Sequence, residues 1–137
     1  MAITSTYAND IVTKSELKVR GNLYSTGGQV GYGTGAGATV TQASSRTTGV
    51  PCDGQCGQIT LVSAAGSTSV QSFTVTCAAV LATTDVIVLC QVSGTDKMDM
   101  TVTAVAVGSF QISFRTMSGT TTEQPVISYM IFKGVAA

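Results

Sequence analysis

From residue 38 onward, hydrophobic side chains recur at every second position in short runs, and Gly, Ser and Thr interrupt the runs roughly every ten residues. A period of two sends alternate side chains to opposite sides of a pleated chain, so each run reads as a strand with one face for a core. The pattern predicts strands over residues 38–43, which are polar and suit an edge, and over 58–63, with Ile59, Leu61 and Val62. Residues 69–77 place Phe73, Val75 and Cys77 on one face; strands over 85–92, 99–107, 110–115 and 126–132 follow. The clearest alternation is in 110–115, where Phe110, Ile112 and Phe114 point one way and Gln111, Ser113 and Arg115 the other, after a tight turn at Gly108-Ser109. Residues 85–92, DVIVLCQV, are apolar on both faces, as a central strand covered on each side should be. No run of ten or more residues has a period of 3.6, so helix has little room.

These elements predict an all-β fold, an antiparallel β-sandwich of jelly-roll type spanning residues 38–137. Its packed interior is expected to include Phe73, Val75, Val86, Val88, Phe110, Ile112, Phe114, Ile127 and Tyr129. Residues 1–37 read differently, as an N-terminal extended arm or stem followed by a Gly-rich segment. Thr13-Lys14-Ser15-Glu16 has capping-box spacing, but Leu17, Val19 and Leu23 fall on odd positions, which favours a strand over 17–24. The GYGTGAG segment then puts glycine at 31, 33, 35 and 37. A dinucleotide fingerprint would need a buried strand before it and a helix after it; the flanks, Ser25-Thr26 and Thr39-Val40-Thr41, supply neither.

Composition narrows the chemistry. At 137 residues the chain is one domain of ordinary size. Seven Lys+Arg against seven Asp+Glu give a net charge of +0 with 10% charged residues, so no basic field exists to hold nucleic acid. No stretch reaches the roughly 18 apolar residues of a membrane span, and the first residues lack the n- and h-regions of a signal peptide; a product made in the cytosol is expected. With no His, imidazole triads and His-based metal sites are impossible. No G-x-S-x-G occurs, and the single S-x-x-K, Ser15 to Lys18, stands without partner motifs. No catalytic role and no cofactor are expected.

The cysteines form no metal pattern, since zinc asks for two close pairs and Cys77 and Cys90 stand singly in strands. Cys52 and Cys56, in PCDGQC, have the spacing for a small disulfide, and Cys77 and Cys90 for a cross-strand one; the favoured reading keeps all four as free thiols. Asp96 and Asp99 flank Lys97-Met98 in an expected hairpin loop and read as a solvated turn in preference to a calcium site. Arg46 and Arg115 are scarce cations of the type suited to interfaces, and are candidate contacts between subunits. A polar surface with so little charge belongs in an assembly, and the stem-like segment favours a homotrimer over a dimer.

The block GYGTGAGATVTQASSRTTGV, followed by GQITLVSAA, SFTVT, TTDVIVL, VTAVAVGSFQISF and PVISYMIFKG, resembles a domain widespread in tailed bacteriophages and prophages. The resemblance covers residues 31–134; upstream, LKVRGNLYSTGG is similar to units of trimeric phage fibre stems. PCDGQC departs from the pattern by introducing two cysteines. The resemblance implies a virion structural protein without catalytic residues. The expected role is a capsid decoration (cement) protein, made in the host cytoplasm, that binds the major capsid protein on the outside of the head. The alternative is a tail or fibre-tip component that binds a host receptor or glycan. For the decoration role, the arm residues Lys14, Leu17, Lys18, Val19, Arg20 and Leu23 are the candidates for docking on the capsid, by adding a strand to an exposed sheet edge.

Overall fold

From Gly37 onward, β-branched runs punctuated by Gly and Ser do form strands, while the expected strand over 17–24 lies largely outside the described residues. The computed structural model describes residues 20, 22, 24, 27 and 30–135, and among them there is no helix. The chain divides into two units, Met1–Gly31 and Tyr32–Ala137. The second contains eight strands: β1 (Gly37–Thr41), β2 (Val50–Pro51), β3 (Cys56–Thr60), β4 (Gln71–Thr76), β5 (Val86–Ser93), β6 (Met98–Ala106), β7 (Ser109–Thr116) and β8 (Val126–Phe132). They make two four-stranded sheets, with orders β1-β3-β8-β5 and β2-β4-β7-β6.

Both sheets are mixed, which corrects the antiparallel expectation. β1 runs parallel to β3 and β2 parallel to β4, while the other neighbours are antiparallel. The cause lies in the path of the chain. From β1 to β4 it changes sheet at every connection, so β2 is the crossover that returns β3 to the first sheet in the direction of β1. Strands adjacent in sequence pair directly in one place, the β6–β7 hairpin, where Gly108 adopts a positive φ of 79°.

One core lies between the sheets. Ile59, Ile87, Ile127, Tyr129 and Ile131 come from the first sheet, and Val50, Phe73, Val75, Phe110, Ile112 and Phe114 from the second. The Phe110 and Tyr129 rings meet across the layers with centroids 5.2 Å apart, and Phe73 and Phe114 meet edge to face at 5.9 Å. The expected interior holds for seven of its nine residues and fails in β5. There Val86 and Val88 face outward, and Ile87 and Leu89 face the core. An all-apolar strand offers either face for burial; the register Ile87↔Ile131 selects Ile87, because Ile131 is itself buried.

Tyr129 fixes how closely β3 and β8 approach. A Cβ on Gly57 would stand 2.6 Å from Tyr129 Cε1, so no larger residue fits opposite the ring. Replacing Phe110 or Phe114 with Ala is expected to cost about 3 to 5 kcal/mol in chemical denaturation, since each leaves a cavity at the layer interface. Unchanged denaturation midpoints would show that these rings are not the core.

Candidate interaction surfaces

Each sheet of a two-layer fold turns one face to the core and the other outward, and the two outward faces here differ in kind. On the second sheet, Ser72 and Thr74 of β4, Gln111, Ser113 and Arg115 of β7, and Asp99, Thr101 and Thr103 of β6 lie on the outer side. Their side chains bond to one another across three strands: Ser72 Oγ to Ser113 Oγ at 2.7 Å, Ser113 Oγ to Thr103 Oγ1 at 2.8 Å, and Thr103 Oγ1 to Gln111 Oε1 at 2.9 Å. Arg115 is exposed and donates to Asp99 Oδ2 at 3.1 Å, directly across from it in the register. A shallow depression of about 260 Å³ lies beside this pair, lined by Val70, Asp99, Thr101, Ser113, Phe114 and Arg115.

The first sheet presents the opposite chemistry. Val86, Val88 and Val92 of β5 and Phe132 of β8 are 56%, 49%, 53% and 54% exposed. Cys90 lies exposed among the valines, and Met130 is half-buried opposite Val88. None of these side chains carries charge, so β5 and the end of β8 form an apolar strip, which Ser128 interrupts opposite Cys90 and which gives way to Gln58 and Thr60 on β3.

Among the described residues no strand lies beside the adjoining edge, that of β5. Ile131 donates its N–H to Gln55 O at 2.9 Å and accepts the Tyr32 hydroxyl on its carbonyl, so both groups point away from β5. In an antiparallel pair the opposite residue then also points away, which turns the N–H and C=O of Ile87, and in step those of Leu89, toward the free edge. The other three edges are blunted: β1 has five residues, β2 has two and includes Pro51, and β6 carries Asp99 and a bulge between Val102 and Ala104. β5 has eight residues, no charge and no proline, and its irregularity falls at its end, between Gln91 and Ser93.

The sequence candidates fall elsewhere. Arg46 is 4% exposed, which corrects its assignment to a subunit contact. Its guanidinium turns inward, donating from Nε to Val62 O at 3.1 Å and from Nη2 to Ala64 O at 2.6 Å and Glu123 O at 2.7 Å. Burial lowers its pKa from the ordinary arginine value, and the carboxylates of Glu123 and Asp96 oppose that shift. Ala64 and Glu123 already pair through their own backbone N–H and C=O groups, so the guanidinium adds a second donor to each and supplies the donor to Val62 O, a role that nothing in the local sequence signals.

All four cysteines are free, so the Cys52–Cys56 pairing is not made. The loop between them crosses from the second sheet to the first and separates their side chains. Cys52 continues the β2–β4 ladder through its N–H to Thr76 O at 2.9 Å and is buried, whereas Cys56 opens β3. Burial pushes the Cys52 thiol up, with Tyr129 partly offsetting it. The Tyr129 hydroxyl donates to Cys52 O at 2.7 Å, with Gly54 O at 3.2 Å, and burial raises that phenol far above its ordinary pKa. Cys77 is in the core and Cys90 on the outer face, so they are not neighbours either.

Asp96 and Asp99 diverge. Asp96 accepts from Thr121 N at 2.8 Å and from Thr121 Oγ1 at 2.9 Å, while Asp99 holds Arg115. No group of three or more His, Cys, Asp or Glu is placed to hold a metal ion among the described residues. Of the docking candidates, Lys14, Leu17, Lys18, Val19 and Leu23 lie outside the described residues, and Arg20 is exposed.

A buried carboxylate closes the β8 end. Buried Asp85 accepts from Lys133 Nζ at 2.9 Å, Leu81 N at 2.9 Å, Ala82 N at 3.3 Å and Gly134 N at 3.2 Å. Lys133, foremost, and the backbone donors hold its carboxyl down to about 2. Because this lies below the ordinary aspartate value of about 3.9, its contribution to stability is complete above that pH and is lost as pH falls toward 2. In acid titrations followed by circular dichroism, Asp85→Asn is expected to be less stable at neutral pH and to lose less stability across that window. Arg46→Ala is expected to cost about 1 to 3 kcal/mol in chemical denaturation, by taking the donor from Val62 O and one of two donors from Ala64 O and Glu123 O. Arg46→Lys should recover only part of it, because one ammonium cannot reproduce the guanidinium fork.

No protein-family model, curated protein or solved structure matches the chain, which leaves its own surfaces to indicate what it does.

Proposed function

We propose that the chain is a structural protein of a bacteriophage virion, a decoration (cement) protein that binds the outside of the assembled head and stabilises it. The observation that carries this reading is the contrast between the two outer faces: an apolar, uncharged strip on β5 and β8, against a hydroxyl-lined face on the second sheet. A protein with one face suited to burial and one suited to water is a component of an assembly. The resemblance of residues 31–134 to phage surface domains supports a virion as that assembly. The jelly-roll reading is supported by the neighbours β3-β8-β5 and β4-β7-β6, the pairings expected of a jelly roll that lacks two strands.

A cement protein needs no reaction. It binds the assembled lattice better than free coat subunits, so its binding free energy is added to the stability of the shell. The major capsid protein is the proposed partner, and the arm residues Lys14, Leu17, Lys18, Val19, Arg20 and Leu23 the proposed docking element. The protein acts as a homo-oligomer on the capsid surface after synthesis in the host cytoplasm.

A second reading, a tail or fibre-tip component that binds a glycan, is favoured by the depression beside Arg115 and Asp99. Copy number separates the two. Gel densitometry of purified virions, scaled to the coat band, is expected to give hundreds of copies per particle for a cement protein and a handful for a tip. Particles lacking the protein are expected to release their genome at lower temperature, and a chain lacking residues 1–26 is expected to fold but leave capsids bare. Equal heat resistance with and without the protein would remove the cement role, and full decoration by the truncated chain would remove the arm from docking.

A further inference from the structure

We infer that Cys52 and Cys77 form a disulfide site: two core thiols, one just past β2 and one just past β4, that a small organic disulfide oxidises to a single cross-strand bond. Neither pairing suggested by spacing along the sequence, Cys52 with Cys56 or Cys77 with Cys90, joins these two residues.

The strand register brings them together. β2 and β4 run parallel, with Val50 opposite Val75 and Pro51 opposite Thr76, so the next pair in step is Cys52 and Cys77. Bonds on either side hold the two segments together through that position. Cys52 donates its N–H to Thr76 O at 2.9 Å, and Ala78 donates its N–H to Asp53 Oδ1 at 2.6 Å. Facing residues of neighbouring strands stand about 4.8 Å apart, within the roughly 4.4 to 6.8 Å that a disulfide spans between Cα atoms. Both side chains take the inner face: Val50 and Cys52 are buried on either side of exposed Pro51, and Val75 and Cys77 on either side of exposed Thr76. They also share their surroundings. The Tyr129 hydroxyl that donates to Cys52 O at 2.7 Å lies 3.9 Å from Cys77 Sγ, which donates to Gly54 O at 3.4 Å. The other two cysteines lie on the first sheet, Cys56 opposite Met130 and Cys90 exposed on β5.

The reaction is thiol–disulfide exchange. One protein thiolate attacks a sulfur of the small disulfide, forming a mixed disulfide and releasing one small thiolate. The second protein thiolate then attacks the sulfur of the first cysteine, and the other small thiolate leaves. Two protein thiols thereby lose two protons and two electrons, and one small disulfide becomes two thiols. The thiolate is the attacking form, and burial pushes the Cys52 thiol up, so exchange is slow in the folded chain and fast while the chain folds. Once closed, the bond ties β2 to β4 where the chain leaves for the first sheet, the crossover that Tyr129 also pins. A reducing cytoplasm keeps the two thiols free, and an oxidising environment outside the cell closes them. The site belongs to the chain itself and does not depend on the virion reading.

The test uses the full chain carrying Cys56→Ser/Cys90→Ser, which leaves the proposed pair alone. Refolded from denaturant in a mixture of oxidised and reduced glutathione, it is expected to weigh two hydrogens less and to offer no thiol to iodoacetamide in denaturant. It is expected to melt about 10 °C higher than the same chain kept in dithiothreitol, because the bond constrains the unfolded chain. Thiols that remain open to iodoacetamide would overturn the inference, as would a glutathione adduct in place of the internal bond or an oxidised chain that melts no higher than the reduced one. Should this variant fail to fold, the wild-type chain refolded in the same mixture decides. Cleavage before Asp53 and after Leu61, Phe73 and Leu81 leaves its four cysteines on separate peptides. A linkage between the Cys52 and Cys77 peptides upholds the inference, and any other linkage, or none, overturns it.

Discussion

The two sheets are joined at Tyr129, and much of the rest of the fold is arranged around that one side chain. Its ring fills the gap between layers against Phe110, and its hydroxyl has to find a partner once it is out of water. The partners are the carbonyls of Cys52 and Gly54, so the phenol pins the loop by which the chain crosses from the second sheet to the first. The ring also dictates glycine at position 57. An aromatic residue in the last strand thereby fixes a crossover formed near the beginning of the domain, which is what closes the mixed sheets.

Polar groups inside the unit serve the same end at its loops. Arg46 gathers the carbonyls of Val62, Ala64 and Glu123, and Gln42 bridges the carbonyls of Arg46 and Thr48 to the amide of Val62. The Glu123 carboxylate takes the amides of Thr95 and Asp96, and Asp85 takes those of Leu81, Ala82 and Gly134. Long loops without secondary structure leave backbone groups that must be bonded when buried, and in this chain a few charged side chains supply them. That use of charge explains why Arg46, a scarce cation in a Ser/Thr-rich stretch, faces inward. Its burial satisfies several carbonyls at once, which no Ser or Thr beside it can do.

The strands themselves were legible because period two with β-branched residues leaves little choice of local structure, and Phe110, Ile112 and Phe114 identified their own face. Two things were not legible. Parallel pairing depends on which sheet the chain enters after each loop, and the two-residue strand Val50–Pro51 gives almost no periodic signal. The facing of β5 was hidden for the opposite reason: with apolar residues on both sides, the alternation carries no information, and the partner strand decides it. The candidate interaction surface was written in the same residues, since a strand apolar on both faces has one face too many for a two-layer fold with β5 at its edge.

The low charge of the chain fits this division of faces. Molecules that approach closely repel one another if each carries net charge, and at physiological salt that repulsion reaches about 8 Å. A surface wetted by hydroxyls avoids the repulsion and still keeps its free face in water. The same lack of charge leaves β5 without the charged residues that usually guard an open edge. Charge was available to guard β5 and is instead placed on β6 and in the loops, at Asp99, Asp85, Asp96 and Glu123.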